Sequence, residues 1–127
     1  MKHYRSIILA VAFATMIILS TTQVAFAARP SMITVSVHHK GKVTTSTVMT
    51  FTFKAFDGDG LGYIRIYVDG IPRGGYEVDP PGLTSLSYSM QLGTYGAYSS
   101  GTHTYYATAQ DLLAQLTTSR IGSFTVP

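Results

Sequence analysis

The chain has 127 residues with nine basic and six acidic side chains, a net charge of +3 and no cysteine. The lack of cysteine excludes thiol chemistry, disulfides and cysteine-ligated metals, so any folded domain must rely on packing and strand pairing. The basic residues are scattered and form no stripe that could follow a phosphate backbone, which argues against a nucleic-acid partner.

The first 27 residues have the features of a secretory signal peptide. Lys2 and Arg5 give a positive start, Ile7–Leu19 is an apolar run, and Ala25–Ala27 fits a small-x-small cleavage site. A membrane span needs about 20 apolar residues, and this run ends too early. We expect cleavage there, a secreted or cell-surface location (extracellular or periplasmic), and one mature domain, 28–127, with no membrane span.

The mature part alternates apolar and polar residues with a period of two, which is typical of half-buried strands separated by turns. About seven strands are expected. In chain order they are Ile33–Val37, Val43–Ala55, Tyr63–Val68, a short edge strand within Ile71–Gly82, Leu86–Leu92, Thr102–Ala109 and Leu116–Val126. Turns are predicted at Asp57–Gly60 and Asp69–Gly70, and a loop at Gly93–Gly101. The pattern predicts an all-β antiparallel sandwich with the apolar rows buried between two sheets.

Two segments resemble the bacterial immunoglobulin-like domains of extracellular and cell-surface proteins. Ala55–Gly70 has an Ala-x-Asp strand end, a glycine turn and an alternating strand that closes on Val-Asp-Gly, and Gly101–Asp111 has a Gly-x-His opening and an Ala-x-Asp end. With Phe124–Val126, the likeness covers most of Phe51–Val126. The chain departs from the family pattern after Asp111, where Leu112–Gln115 replaces the usual Gly-Asn. The resemblance implies an immunoglobulin-like fold that serves as a spacer, adhesive module or assembly unit.

Three aspartates and two histidines are candidate metal ligands. Asp57, Asp59 and Asp111 could offer carboxylates to calcium, which takes six to eight oxygens, but aspartate with glycine also suits a tight turn without metal. We expect turn chemistry, leave calcium as the open alternative, and expect no cofactor. His38 and His39 are adjacent, so strand geometry sends them to opposite faces and they cannot chelate one ion.

The residue pattern argues against an enzyme. His103 opens a predicted strand, where we expect a half-buried ring with one nitrogen bonded to a loop carbonyl. Catalysis would need a nucleophile and an orienting carboxylate beside it, and no serine lies in a Gly-x-Ser-x-Gly turn. Asp69, Glu77 and Asp79 suggest the carboxylates of a glycoside hydrolase, but such a pair must flank a cleft. We expect no catalytic residue.

Tyrosines are the best candidates for a contact surface, because each combines a flat apolar ring with a hydroxyl group. Tyr63 and Tyr67 are expected on the outer face of one strand, where strand propensity alone explains them, and Tyr106 lies on a later strand. Tyr95 and Tyr98 fall in a loop rich in glycine and serine. These two are the predicted partner-binding residues.

The sequence therefore favours a non-enzymatic extracellular module that acts by contact with a protein or polysaccharide, in adhesion or in a structural role. One alternative is a self-assembling filament or surface-layer subunit. Its route would be the N-terminal segment Ser31–Val37, which is alternating and uncharged and could complete a neighbour's sheet. Another alternative, from a different class, is a small secreted hydrolase or inhibitor.

Overall fold

The computed structural model describes residues 29–30, 32–39 and 42–127, and the predicted signal peptide lies outside them. The described residues form eight strands. They are β1 (Met32–His38), β2 (Val48–Phe56), β3 (Leu61–Val68), β4 (Ile71–Glu77), β5 (Ser85–Thr94), β6 (Gly101–Asp111), β7 (Leu116–Thr118) and β8 (Gly122–Val126). A single 3₁₀ turn, Tyr95–Ala97, follows β5. In the part of the chain that is described, no helix is long and apolar enough to cross a membrane.

The strands form two antiparallel sheets. Sheet A contains β1, β2 and β5 in that order, and sheet B contains β4, β3 and β6, with β7 and β8 both paired to β6. Tyr105 of β6 pairs with Val68 of β3 and also with Gly122 of β8. Because a residue has one partner on each side, β8 lies on the edge of β6 opposite β3. The predicted all-β sandwich is confirmed.

The core lies between the sheets and is built from alternate residues of each strand. Seven side chains of β2 and β3 have no exposed surface, namely Met49, Phe51, Phe53, Leu61, Ile64, Ile66 and Val68. The ring of Phe51 meets that of Tyr105 edge to face at 5.7 Å, which joins sheet A to sheet B. Burial of one such large apolar side chain stabilises a fold by about 1.5–3 kcal/mol. The buried rows therefore determine which face of β2 and of β3 points into the core.

The apolar row predicted for β5 is only partly buried, because β5 is an edge strand of sheet A. Leu86, Met90 and Leu92 are half-buried, and Tyr88 is 38% exposed. The ring of Tyr88 stacks on that of Tyr76 from β4 at 4.2 Å between centroids. The two edge strands thus close one side of the sandwich with aromatic contacts.

The second strand begins later than predicted, at Val48 and not at Val43. Residues 44–47 form a tight turn in which the amide of Thr47 donates to the carbonyl of Thr44 at 3.0 Å. The hydroxyl of Thr47 also accepts from the amide of Thr44. Threonine side chains that bond to nearby backbone favour turns over strands, which explains the difference.

The last predicted strand, Leu116–Val126, is split into β7 and β8 by an interruption at Ser119. The amide of Ser119 donates to the carbonyl of Ala107 at 2.8 Å, and its hydroxyl accepts from the amide of Ala107 at 2.9 Å. Ser119 therefore satisfies both the carbonyl and the amide of Ala107, at the point where the strand pairing along this edge of β6 is interrupted. The two short strands lie one after the other along the same edge of β6.

A close backbone approach joins the β2–β3 turn to the loop before β5. Gly60 has φ +100°, and a Cβ there would lie 2.7 Å from Cα of Gly82. The amide of Leu112 also donates to the carbonyl of Gly60 at 3.0 Å. This end of the sandwich therefore depends on a glycine at position 60.

We expect Gly60→Ala to lower the free energy of unfolding by about 1–3 kcal/mol, since it combines a strained φ with a backbone clash. Gly58→Ala is the matched control in the same turn, because a Cβ there meets nothing within 4 Å. That change should stay within about 0.5 kcal/mol of the parent. Urea denaturation of both variants makes the comparison, and equal effects would show that the approach to Gly82 does not matter.

Candidate contact site on the outer face of sheet B

The most unusual surface of the molecule is an outward row of aromatic and cationic side chains on β3. Tyr63, Arg65 and Tyr67 alternate with the buried residues of the same strand. Tyr67 pairs across the strands with Tyr106 of β6. We call Tyr63, Arg65, Tyr67 and Tyr106 the tyrosine–arginine platform.

Ring contacts hold the platform in place. The rings of Tyr67 and Tyr106 stack at 4.8 Å with an angle of 8° between their planes. The guanidinium carbon of Arg65 lies 5.2 Å from the ring centroid of Tyr63, within the range of a cation–π contact. Tyr63 itself lies across β4 where Gly75 has no side chain, because a Cβ at Gly75 would collide with the tyrosine hydroxyl. The platform is thus an ordered surface.

The platform borders a shallow dish of about 170 Å³. Its lining residues are Tyr63, Arg65, Tyr67, Thr108, Gln110 and Leu116. Hydrogen bonds to the side chains of Tyr67 and then Tyr63 raise the pKa of Arg65 above its ordinary value. Among the described residues no carboxylate lies within ion-pair distance of Arg65. The dish therefore presents a fixed positive charge beside aromatic rings and hydrogen-bonding side chains.

The two predicted partner-binding tyrosines have different surroundings. Tyr95 is only 2% exposed, and its ring meets Phe124 edge to face at 5.6 Å. The 3₁₀ turn folds this segment inward, since the amide of Tyr95 donates to the carbonyl of Thr47 at 3.0 Å. The sequence predicts a loop here, whereas the bond to Thr47 folds Tyr95 inward. The side chain of Tyr95 therefore has almost no exposed surface to offer a partner.

Tyr98 is half-buried at the margin of the core. Its ring lies 5.4 Å from those of His103 and Phe124, and the guanidinium of Arg73 lies 5.4 Å from its centroid. Burial raises the pKa of the Tyr98 hydroxyl, while Arg73 acts in the opposite direction. Tyr98 is thus the one of the pair that keeps some access to solvent.

His103 pins the β3–β4 turn to the start of β6. Its Nδ1 lies 2.6 Å from Oδ2 of Asp69, and its Nε2 lies 2.8 Å from the carbonyl oxygen of Ser99. Asp69 Oδ1 also accepts from the amide of Thr104 at 2.9 Å. The predicted bond between His103 and a loop carbonyl is therefore present. Ser99 contributes its carbonyl and not its hydroxyl to this arrangement.

Both ring nitrogens of His103 face acceptors, which favours the protonated ring. The hydrogen bond to Asp69, helped by that to Ser99, raises the pKa of His103, and the same pair lowers the pKa of Asp69. We call this pair, with its bonds to Ser99 and Thr104, the His103–Asp69 pin. It acts as a structural clamp on one end of sheet B.

The three carboxylates that the sequence suggests for glycoside hydrolysis do not all meet at one place. Asp69 precedes β4, whereas Glu77 ends it and Asp79 follows. Seven strand residues span about 23 Å, which is far longer than the separation of a catalytic pair. Glu77 and Asp79 line one depression of about 420 Å³ with Val78 and Pro81, and Asp69 lies at the other end of β4.

Two of the three aspartates that the sequence offers as calcium ligands, Asp57 and Asp111, accept backbone hydrogen bonds in turns. Oδ1 of Asp57 accepts from the amide of Asp59 at 2.6 Å, and Oδ1 of Asp111 accepts from the amides of Leu113 and Gln115 at 2.8 and 2.7 Å. The described residues contain no group of three or more His, Cys, Asp or Glu side chains that could hold a metal ion. The turn bonds account for Oδ1 of Asp57 and of Asp111, whereas Oδ2 of each is buried without a hydrogen-bond partner among the described residues.

The two adjacent histidines of the first strand lie at its end and make separate contacts. Nε2 of His38 lies 2.8 Å from Oγ of Ser36, and the ring of His39 meets that of Tyr95 edge to face at 6.0 Å. Both line a depression of about 560 Å³ with Thr44, Ser46 and Thr47. Among the residues that the structure describes, the lining of this depression includes hydroxyl groups and no carboxylate.

The His103–Asp69 pin predicts a pH-dependent stability. The raised pKa of His103 gives stabilisation that is complete below the unfolded value of 6.5 and is lost as the pH rises through the folded value. The lowered pKa of Asp69 gives stabilisation that is complete above 3.8 and is lost as the pH falls further. The pin should therefore stabilise most between these two values.

Urea denaturation of the parent and of His103→Gln at pH 5.5 and pH 8.5 tests the direction of this pH dependence. We expect the stability difference between the two proteins to be larger at pH 5.5. His38→Gln removes a histidine outside the pin and serves as the control. A difference that is constant, or larger at pH 8.5, would contradict the protonated pin.

Comparison with known proteins supports the fold and goes no further. No protein-family model and no curated protein sequence matches the chain. The CARDB domain of a Pyrococcus furiosus protein, solved in complex with di-metal ions, is similar with a TM-score of 0.53 and 12% identity over 85% of this chain and 99% of that chain. The PKD domain of an M14-like peptidase from a Thermoplasmatales archaeon has a TM-score of 0.49 and 21% identity over 80% and 99%. The CARDB domain is an immunoglobulin-like sandwich, and with the two antiparallel sheets of this chain it confirms the predicted fold class.

Proposed function

We propose that this protein is a non-enzymatic, secreted or cell-surface module that contacts an extracellular protein or polymer through the outer face of sheet B. The observation that carries the proposal is Arg65, an exposed cation that lies against the ring of Tyr63 and has no carboxylate partner among the described residues. Tyrosine and arginine are enriched at contact surfaces and dominate their binding energy. An immunoglobulin-like sandwich supplies the rigid scaffold for such a surface.

The secreted location rests on the predicted signal peptide, residues 1–27, and on a mature domain of residues 28–127. Tyr98 joins the proposal as a second contact residue, because its ring retains partial exposure beside Arg73. The inward position of Tyr95 gives it the supporting role of anchoring that segment to the core. The platform replaces Tyr95 as the main candidate surface.

The test compares binding of the purified protein to the cell envelopes and extracellular material of the organism that produces it. We expect Arg65→Ala with Tyr67→Ala to weaken binding by at least about tenfold, since truncation of an interface hot spot costs about 2 kcal/mol or more. Thr52→Ala with Ser89→Ala, which removes a bonded pair on the outer face of sheet A, is the matched control. Arg65→Ala alone gives a variant that leaves the Tyr67–Tyr106 stack intact.

Urea denaturation of each variant separates loss of binding from loss of folding. Equal binding by the platform variants and the sheet A control would contradict a contact role for the platform. Loss of binding in the sheet A variant alone would place the contact on the opposite face of the sandwich.

A second candidate, self-assembly through β1, is favoured by the position of that strand. β1 pairs along its whole length with β2 at the edge of sheet A, and its other edge has no strand beside it within the described chain. Residues 32–38 contain no lysine, proline or bulge of the kind that protects edge strands. The strand could therefore pair with the sheet of a second copy.

A disulfide lock tests the exchange of β1, in a chain that has no other cysteine. Thr34 and Lys54 are directly paired across β1 and β2, at a spacing suited to a disulfide. We expect the Thr34→Cys, Lys54→Cys variant to stay monomeric when oxidised and to form concentration-dependent oligomers when reduced, as measured by light scattering. A parent protein that is monomeric at every concentration would contradict self-assembly through β1, and a locked variant that still assembles would contradict exchange of β1 and favour pairing through its free edge.

A further inference from the structure

The chemistry of the dish beside Arg65 points to a more specific ligand, an inference that rests on the proposed contact function of the platform. A guanidinium is a planar fork of donors that matches the two oxygens of a carboxylate, and it keeps its charge at all ordinary pH values. Tyr63 and Tyr67 hold the Arg65 fork at the rim of the dish. Little side-chain freedom is then lost when an anion binds.

The rest of the dish suits a small ring that carries hydroxyl groups. Thr108 and Gln110 contribute hydrogen-bonding side chains, and Leu116 and the tyrosine rings contribute apolar surface. A volume of about 170 Å³ equals that of roughly six water molecules. Such a space accepts one sugar ring and excludes a folded protein segment.

The surface is also longer than one ring. Tyr63 and Tyr67 are four residues apart on β3, which separates them by about 13 Å. The Tyr67–Tyr106 stack extends the platform sideways onto β6. A ligand that contacts both Tyr63 and Tyr106 must therefore be longer than one sugar ring, which a chain of rings satisfies.

The alternatives fit these features less well. A protein partner needs a patch of about 800 Å² with apolar anchors at its centre, whereas here polar groups converge on a dish the size of one ring. A nucleic acid needs a stripe of several cations along its phosphates, whereas the platform holds one arginine. A neutral polymer would make no use of the charge of Arg65.

We infer that the tyrosine–arginine platform binds an acidic polysaccharide, with a sugar carboxylate on the guanidinium of Arg65 and the sugar rings against Tyr63, Tyr67 and Tyr106. The contact between carboxylate and guanidinium supplies selectivity for acidic chains. The aromatic faces supply area that depends little on the sequence of sugars. The class of ligand is thus fixed by charge and by ring geometry together.

The test uses polygalacturonate as the probe and its fully methyl-esterified form as the matched ligand, because the ester removes the charge and keeps the chain. Calorimetry with the full protein should detect binding of polygalacturonate and at least about tenfold weaker binding of the ester. Arg65→Gln should lose at least about tenfold in affinity for the acidic form, as expected for a hydrogen bond to a charged group. Lys54→Gln removes one exposed positive charge from sheet A and should leave binding unchanged.

The outcomes separate the inference from the proposed function. Equal binding of the two polymers, or equal losses in Arg65→Gln and Lys54→Gln, would overturn the inference. A lack of binding to either polymer, together with platform-dependent binding to cell envelopes, would overturn the acidic-polysaccharide ligand and leave the contact function intact. A lack of both would overturn both.

Discussion

The burial of one side of β3 is the constraint on which the rest of the molecule depends. Ile64, Ile66 and Val68 have no exposed surface, and β3 lies between β4 and β6 in the interior of sheet B. Because successive strand residues point to opposite faces, the intervening side chains of Tyr63, Arg65 and Tyr67 must face outward. A shift of one residue in register would bury an arginine and expose three apolar side chains, so the core itself holds the platform in position.

The pin at the end of sheet B shows how the same hairpin is held at its tip. Asp69 has φ +51° in the β3–β4 turn, and its carboxylate bonds to both His103 and Thr104 of β6. His103 in turn reaches the carbonyl of Ser99 in the segment that carries Tyr98. The side chains of Asp69 and His103 thereby join the β3–β4 hairpin, the start of β6 and the segment that carries Ser99 and Tyr98. Because both side chains are ionisable, the relative position of these three parts depends on pH.

Sequence reasoning could predict what depends on local pattern. The alternation of Phe51 with Phe53 gave the buried row of β2, and the Asp69–Gly70 pair gave the hairpin turn. It could not predict what depends on contacts between distant segments. Tyr95 was read as a loop residue because nothing near it in the sequence shows the bond to Thr47 that folds it inward. The split of the last strand depends on the hydrogen bond between Ser119 and Ala107. A local sequence pattern cannot predict this contact either.

The platform illustrates this limit most clearly, since its tyrosines have a structural explanation of their own. A cross-strand aromatic pair stabilises a sheet by about 0.2–1 kcal/mol, and that accounts for Tyr67 and Tyr106 without any ligand. It does not account for Arg65, whose charge meets no carboxylate among the described residues and adds little to strand pairing. Nor does it account for Gly75, whose lack of a side chain leaves the space that the hydroxyl of Tyr63 occupies. The charge and the glycine make sense as parts of a surface shaped for a partner, and they are the reason to treat this face as functional.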